Sequence, residues 1–305
     1  MEEDEVIIVD GISDADYDSL IMDCVKYAII SLPFTVNRMN IQNDRRVLNI
    51  AKGKIAEAIF NYFCQGNGIH PDFKVCATPF WEVDKRDFVL NGNEWDIKNN
   101  FYYCVGTEYK GKYTDFPALI PNRFDGDQWS KRDKITNPNL EGVEFLFTFL
   151  KAADLVNGKR KQEFLEINLS DEQMKFISDL YIRYQGKTQQ EAPFTEEKFW
   201  AKFESLGDMN LFTLYSRPSL VITAYANKSH WDKFKNTGPN VKYRNDDSLH
   251  WYKKSEKALC FLNGTIWTKI TNSTCRVSQL PSFLSLYPQL QKNIVYGHVR
   301  SSATR

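Results

Sequence analysis

Three charged residues between positions 87 and 98 have types and spacing suited to metal-assisted chemistry. Asp87 begins a short apolar run, Asn91-Gly92 ends it, and Asp96 and Lys98 lie in the run that follows. Asn-Gly between two apolar runs is a strong hairpin signal, and a hairpin here would fold Asp87 back to the level of Asp96. Asp96 and Lys98 are two residues apart, so they project from the same face of a strand. The pattern therefore predicts that two carboxylates and one ammonium group meet on a β-hairpin.

Such a cluster of charges favours a bound cation. Two carboxylates in a partly buried place repel each other unless a cation joins them. A hard divalent cation with oxygen ligands is the usual solution, and Mg²⁺ takes one or two carboxylates together with water and phosphate oxygens. A cation at this place can polarise a phosphodiester, lower the pKa of a bound water and stabilise the leaving oxygen. The lysine would hold or deprotonate the attacking water, or offset charge in the transition state.

The arrangement resembles the PD-(D/E)XK nuclease superfamily, the fold of many type II restriction endonucleases. The matching residues are Asp87, followed by Asp96-Ile97-Lys98 in the frame RDFVLNGNEWDIKNN, and Glu57 in the upstream segment AKGKIAEAIFNYF. The resemblance implies that Asp87, Asp96 and Glu57 hold Mg²⁺, with Mn²⁺ as a substitute, and that these three residues and Lys98 are catalytic. For Glu57, a plain charge on an exposed helix face is an equal alternative. The resemblance covers residues 44–100 well and the rest of the chain only by the order of its elements.

The function implied by this resemblance is hydrolysis of DNA. We expect a Mg²⁺-dependent endonuclease of the restriction or anti-phage type that cuts double-stranded DNA as a homodimer. A non-catalytic nucleic-acid-binding protein on the same core is the alternative from another class, and a nuclease for RNA or DNA junctions is a third possibility. No nucleotide cofactor is expected, because the sequence contains neither G-x-G-x-x-G nor G-x-x-x-x-G-K-[ST].

The match to the superfamily has departures. Asp87 is not preceded by Pro, and the triplet has Asp where Glu is commoner. The first carboxylate has two alternatives, Asp84 and Glu82. The (D/E)-x-K pattern also begins at Asp72, Glu108 and Glu196. Of the four triplets, the one at Asp96 has an apolar hairpin, an upstream Asp and a preceding Glu-bearing helix. The alternative interpretation of this triplet is a surface hairpin that carries a solvated ion pair.

The periodicity of apolar residues predicts a mixed α/β or α+β fold with a restriction-endonuclease-like core. We expect a mixed central sheet flanked by helices, followed by a basic, β-rich C-terminal extension. Helices are predicted over 14–32, from a cap at Asp44 to about 66, from a cap at Ser170 to about 184, and from a cap at Thr195 to about 206. Extended segments are predicted over 73–77, 87–90, 94–98, 143–150, 164–169 and 219–226, with a last hairpin over 258–270. The segment 105–142 is predicted to be a long functional loop.

Composition and charge bound the class of protein. The chain has 305 residues and no net charge, but residues 1–23 carry a net charge of −9 and residues 228–305 a net charge of +9. We therefore divide it into residues 1–226, the helical part and nuclease core, and residues 227–305, a basic, aromatic region that is a candidate for DNA contact. No apolar run approaches the roughly 20 residues that span a bilayer, and the N-terminus is acidic. These features predict a cytoplasmic protein without a membrane partner, and the cysteine and histidine spacing matches no zinc-site pattern.

Overall fold

The computed structural model describes residues 1–35, 37, 41–82, 86–105, 109, 111–121, 143–156, 159–185, 189, 191–237, 241–243, 266–268 and 272–300. The helices in this part of the chain are α1 (Asp14–Ser31), α2 (Asn43–Gly66), α3 (Phe73–Cys76), α4 (Asp171–Tyr184) and α5 (Glu196–Glu204). The strands are β1 (Ile7–Val9), β2 (Phe88–Leu90), β3 (Asn93–Val105), β4 (Pro117–Pro121), β5 (Val143–Val156), β6 (Lys159–Glu163), β7 (Leu165–Ile167), β8 (Phe212–Leu214), β9 (Leu220–Ala226), β10 (Lys235–Thr237), β11 (Val241–Tyr243), β12 (Ile266–Thr268), β13 (Asn272–Arg276) and β14 (Gly297–Val299). The predicted mixture of helices and strands is confirmed.

The main sheet has seven strands. Its order is β14-β1-β9-β5-β3-β2, and β6 pairs with β5 off this path. Strands β3 and β5 run parallel, whereas the other pairs of this sheet are antiparallel, so the sheet is mixed. Smaller sheets are formed by β10-β13-β4, by β11-β12 and by β7-β8. The predicted mixed central sheet with flanking helices is confirmed at this level.

The first two helices follow the predicted pattern closely. The Ser13 side chain caps α1 by accepting from the amide of Asp16, and the helix gives way to a 3₁₀ turn that contains Pro33. Helix α2 buries the residues spaced three and four apart, including Ile55, Ile59 and Phe63. Its predicted cap was wrong, because Asp44 lies within the first turn and Gln42 precedes the helix without a side-chain bond.

Helix α2 is also attached to the sheet by buried charges. The ammonium group of Lys52 is fully buried and lies 2.6 Å from one carboxylate oxygen of Glu163 at the end of β6, while Arg45 lies 2.5 Å from the other oxygen. Burial opposes ionisation of Glu163, but Lys52 and Arg45 outweigh it and lower the pKa of this carboxyl group. Removing one partner would leave the others charged in the interior, so this cluster fixes the helix against the sheet.

The predicted hairpin around Asn91-Gly92 is confirmed. Strands β2 and β3 pair antiparallel with Phe88 opposite Trp95 and Leu90 opposite Asn93. Both turn residues have positive φ, 53° for Asn91 and 79° for Gly92, as a type I′ hairpin turn requires. Strand β3 runs well beyond the predicted end at residue 98, because it pairs with β5 along its whole length.

Two predictions for the middle of the chain were wrong. The segment 73–77 was predicted to be extended, but it contains the single-turn helix α3, because the Asp72 carboxylate accepts from the amides of Lys74 and Val75 and so caps a turn. The segment 105–142 was predicted to be a loop, but it contains β4 and a buried aromatic cluster of Tyr109, Tyr113 and Phe116. Residues 106–108, 110 and 122–142 of that segment lie outside the described residues.

Both sides of position 226 contribute to the main sheet. Strand β14 pairs with β1, and Phe283 and Leu284 are buried in the same core as α2. The domain boundary at 226 stays a prediction. Of the predicted hairpin at 258–270, the described part is β12, which pairs with β11, and the rest of that range lies outside the described residues. Within the described residues, no helix has the length and apolar character needed to cross a membrane.

The turn that sets the register of β2 and β3 can be tested with two glycines. A Cβ at Gly92 would meet no atom within 4 Å, so the cost of Gly92→Ala comes from its positive φ. We expect this variant to lose about 1 kcal/mol of unfolding free energy, measured by urea titration. Gly53→Ala is the matched control, because this glycine lies inside α2 with equally open space. It should gain about 0.5–1 kcal/mol, and equal effects of the two substitutions would contradict the turn assignment.

Candidate active site

Asp87 lies at the point where β2 joins the chain before it. Its backbone amide donates to the carbonyl oxygen of Trp95 at 2.9 Å. Its carboxylate accepts from the amide of Ile97, with 2.5 Å between Oδ2 and the nitrogen. These two bonds straddle Asp96, so Asp87 lies directly across the hairpin from Asp96.

Asp96 and Lys98 form an ion pair on β3. The ammonium nitrogen of Lys98 lies 2.5 Å from Oδ2 of Asp96 and 5.6 Å from the centre of the Phe145 ring on β5. Asp96 is 6% exposed, so the pair is largely sheltered from solvent. Phe145 is the cross-strand partner of Asp96 in the register of β3 and β5, which places both side chains on the same face of the sheet.

Glu57 approaches the same strand edge from the helix side. Its carboxylate lies 2.8 Å from the ammonium nitrogen of Lys54, one turn earlier on α2, and that nitrogen lies 5.0 Å from the centre of the Tyr27 ring. Glu57 is partly buried, so it is not the exposed helix-face charge of the alternative interpretation. Lys54, Glu57 and Asp87 line one cleft.

This cleft has a volume of about 190 Å³. Its walls come from α1, α2, α3 and the segment that leads into β2, and they are formed by Tyr27, Lys54, Glu57, Phe73, Cys76, Ala77, Thr78, Arg86 and Asp87. Asp96 and Lys98 are not among these residues. Trp95 and Ile97 pack in the core beneath α2, so the alternating side chains of Asp96 and Lys98 project from the other face of β3. Asp87 stands at the strand edge between the two groups.

The ionisation of Asp87 reflects this crowded position. Burial, together with the carboxylates of Glu57 and Asp96, raises the pKa of Asp87 well above its ordinary value. The nearby Lys54 and the hydrogen bond from Ile97 act in the opposite direction but do not cancel the effect. Asp87 is therefore a carboxylate whose negative charge is poorly compensated by the protein.

The donor set is compatible with a magnesium ion. The described residues contain no group of three or more His, Cys, Asp and Glu side chains arranged to hold a metal. Magnesium, however, typically takes one or two protein carboxylates and completes its shell with water and phosphate. Asp87 and Asp96 supply two hard oxygen ligands on facing strands, and the uncompensated charge of Asp87 favours a cation there. Glu57 is a further carboxylate on the helix side, and its charge contributes to the raised pKa of Asp87.

The other candidate carboxylates fit the site less well. Glu82 is exposed, and Asp84 lies outside the described residues. Asp72 uses its carboxylate to cap α3. Glu196 lies in the first turn of α5, as expected, and Glu108 lies outside the described residues.

Comparisons of this chain with protein-family models, with curated proteins and with solved structures found no match. The resemblance to the PD-(D/E)XK superfamily therefore stays a prediction from the motif residues.

Sequence reasoning missed three residues of the cleft wall. Lys54 precedes Glu57 by three positions, the spacing of neighbours on one helix face, so its position could have been inferred. Arg86 occupies the position where the superfamily pattern has Pro, and that departure was itself a signal. Tyr27 could not have been found from sequence, because only the packing of α1 against α2 brings it to the cleft.

The raised pKa of Asp87 predicts how stability depends on pH. The folded protein binds this proton more tightly than the unfolded chain, so the stability of the metal-free wild type should fall as pH rises from about 4 through the raised pKa. Asp87→Asn removes the titration while its amide oxygen can still accept from Ile97. We expect this variant to melt at a higher temperature than the wild type at pH 8 in EDTA, with the difference shrinking toward pH 4.

The control is Asp18→Asn, because Asp18 is an exposed residue on α1. Its melting temperature should run parallel to that of the wild type across the same pH range. If Asp87→Asn melts below the wild type at pH 8, the carboxylate is stabilising and the account of its charge is wrong.

Proposed function

We propose that this protein is a Mg²⁺-dependent endonuclease that hydrolyses phosphodiester bonds of double-stranded DNA, of the site-specific restriction or anti-phage type. The observation that carries the proposal is the position of Asp87 across the hairpin from Asp96, which is itself ion-paired with Lys98. Two carboxylates and a lysine on one hairpin can supply two ligands for a metal ion and a cation for the reacting phosphate, which suits metal-assisted phosphodiester hydrolysis.

Each residue has a distinct role in this proposal. Asp87 and Asp96 would hold the metal, and Glu57 would approach it from α2. When bound, Mg²⁺ supplies Lewis acidity to the phosphodiester and lowers the pKa of a bound water, and Mn²⁺ can supply the same chemistry. The residues of the chain fix the positions of these ligands, and the burial of Asp96 limits competing water.

Lys98 is the candidate for handling the attacking water. Its ammonium group is held by Asp96 in the free protein. With Mg²⁺ held by Asp87 and Asp96, the ammonium group of Lys98 would be placed to orient the attacking water by donating a hydrogen bond to it, or to offset the charge that develops in the transition state.

The proposal extends to partners and setting. Cutting both strands of a duplex calls for two copies of such a site, so we infer a homodimer, with the basic residues between 227 and 305 as a candidate DNA-contacting region. We further propose that the protein acts in the cytoplasm. Light scattering of the purified protein, alone and with a duplex oligonucleotide, tests the number of copies.

The decisive experiment is incubation of the purified protein with plasmid and phage DNA in Mg²⁺, with EDTA as the blank. We expect discrete fragments from the wild type and a loss of at least about 100-fold in cleavage rate for Asp96→Asn and for Lys98→Ala, because each removes a group that acts on the reacting atoms. Asp18→Asn should cleave like the wild type. Equal cleavage by the wild type and both site variants would end this assignment.

Two further measurements separate the alternatives. Mg²⁺ should raise the melting temperature of the wild type and have a smaller effect on Asp96→Asn, because a ligand that binds the folded state stabilises it. A gel-shift assay with duplex DNA, with single-stranded RNA and with a four-way junction is run beside the cleavage assay. Binding without cleavage would favour a non-catalytic binding protein. Cleavage of RNA or of junctions alone would identify the protein as a nuclease for those substrates instead of duplex DNA.

A further inference from the structure

Arg86 is a cation on the wall of the cleft that the motif does not account for. Its guanidinium Nε lies 3.2 Å from a carboxylate oxygen of Glu94, which stands near the start of β3. The Arg86 side chain is 15% exposed, whereas the Glu94 side chain is 57% exposed. The arginine is therefore sheltered at the cleft while its carboxylate partner stands in solvent.

The surroundings of Arg86 suit a nucleic-acid strand. The same cleft is lined by two aromatic residues, Tyr27 and Phe73, and by Thr78 and Lys54. Aromatic faces favour contact with sugars and bases, and hydroxyl and cationic groups favour contact with phosphate. Asp87, the neighbour of Arg86 in sequence, lines the same cleft, so a ligand that reaches Arg86 also reaches this proposed metal ligand.

We propose that Arg86 binds a phosphate group of the DNA strand next to the bond that is cut. Glu94 is ion-paired with the Arg86 guanidinium in the free protein, and the DNA phosphate displaces Glu94 from it. This inference rests on the proposed function, because it assigns a substrate contact within the same site. An arginine suits the role because its planar guanidinium can donate two parallel hydrogen bonds to one phosphate.

The exchange of Glu94 for phosphate is favourable on physical grounds. An ion pair in which one partner is mostly exposed contributes little, because solvent screens it. A phosphate that enters the cleft meets the guanidinium in a more sheltered place and can make charge-assisted bonds there. Glu94 therefore acts as a weak competitor for DNA, and its removal should strengthen binding just as the removal of Arg86 weakens it.

The test measures the affinity of a fluorescein-labelled duplex oligonucleotide by anisotropy in EDTA, where no cleavage occurs, over a series of salt concentrations. We expect Arg86→Gln to bind about tenfold more weakly and to lower the slope of log affinity against log salt by about 1. The affinity of Arg86→Lys should lie between those of Arg86→Gln and the wild type, because lysine keeps the positive charge but cannot donate two parallel hydrogen bonds to one phosphate. Glu94→Gln should bind more tightly than the wild type.

The controls remove a charge of the same sign elsewhere. Arg183→Gln changes an exposed arginine on α4, and Asp18→Asn changes an exposed carboxylate on α1. Both should bind DNA like the wild type, which shows that net charge alone does not explain the result. Melting temperatures identify any variant that is unfolded, and Glu94→Gln, an exposed position, tests the inference even if Arg86→Gln does not fold.

The outcomes separate this inference from the proposed function. If the wild type cleaves DNA but Arg86→Gln and Glu94→Gln both bind like it, the phosphate contact is wrong and the nuclease assignment stands. If the wild type does not cleave DNA but the two variants shift its affinity for DNA in opposite directions, Arg86 binds a phosphate and the protein is a non-catalytic DNA-binding protein. If Arg183→Gln weakens binding as much as Arg86→Gln, the effect is general electrostatics and the inference is overturned.

Discussion

The site depends on one backbone amide that needs an acceptor. Strand β2 begins at Phe88, opposite Trp95, but β3 continues past that pair to Val105, so the amide of Ile97 faces an edge where the strand ladder has no further carbonyl from β2. An unpaired amide in a buried place is costly, and the carboxylate of Asp87 accepts its hydrogen bond instead. That bond holds the Asp87 carboxyl group at the strand edge, between the helix side and the Asp96 side. The raised pKa of Asp87 is the consequence of holding a carboxylate there.

The helix that carries Glu57 is positioned by a separate interaction. Lys52 lies five residues earlier on α2, less than two helical turns away, and its buried ammonium group is bound to Glu163 on the strand that pairs with β5. Because β5 also pairs with β3, the ion pair ties α2 to the same part of the sheet as the site. A buried pair of this kind contributes little net stability, but it resists being broken, since a single partner would be left charged in the interior. It therefore fixes position more than it adds stability.

Much of the local structure could be predicted from sequence, because it follows from local rules. The Asn91-Gly92 hairpin requires positive φ at both turn residues, and α2 follows from apolar spacing. Helix α3 was missed because a capping bond from Asp72 outweighed an apolar pattern typical of a strand. The side of the sheet on which Glu57 lies was also beyond reach, since alternation along β3 separates Asp96 from Ile97 but does not say which face a helix covers. That choice is made by tertiary packing, which single-sequence patterns do not contain.

The charges around Asp87 explain why a cation and a phosphodiester would bind together. Three cation–carboxylate pairs surround it, Lys54 with Glu57, Arg86 with Glu94, and Lys98 with Asp96. Among the described residues, Asp87 has no salt bridge of its own, so with all groups ionised the cluster carries a charge of −1. A divalent cation would change that charge to +1, which is complementary to a single phosphodiester. A metal at this site would therefore make it more attractive to the scissile phosphate, so binding of the metal and of that phosphate should be coupled by electrostatics.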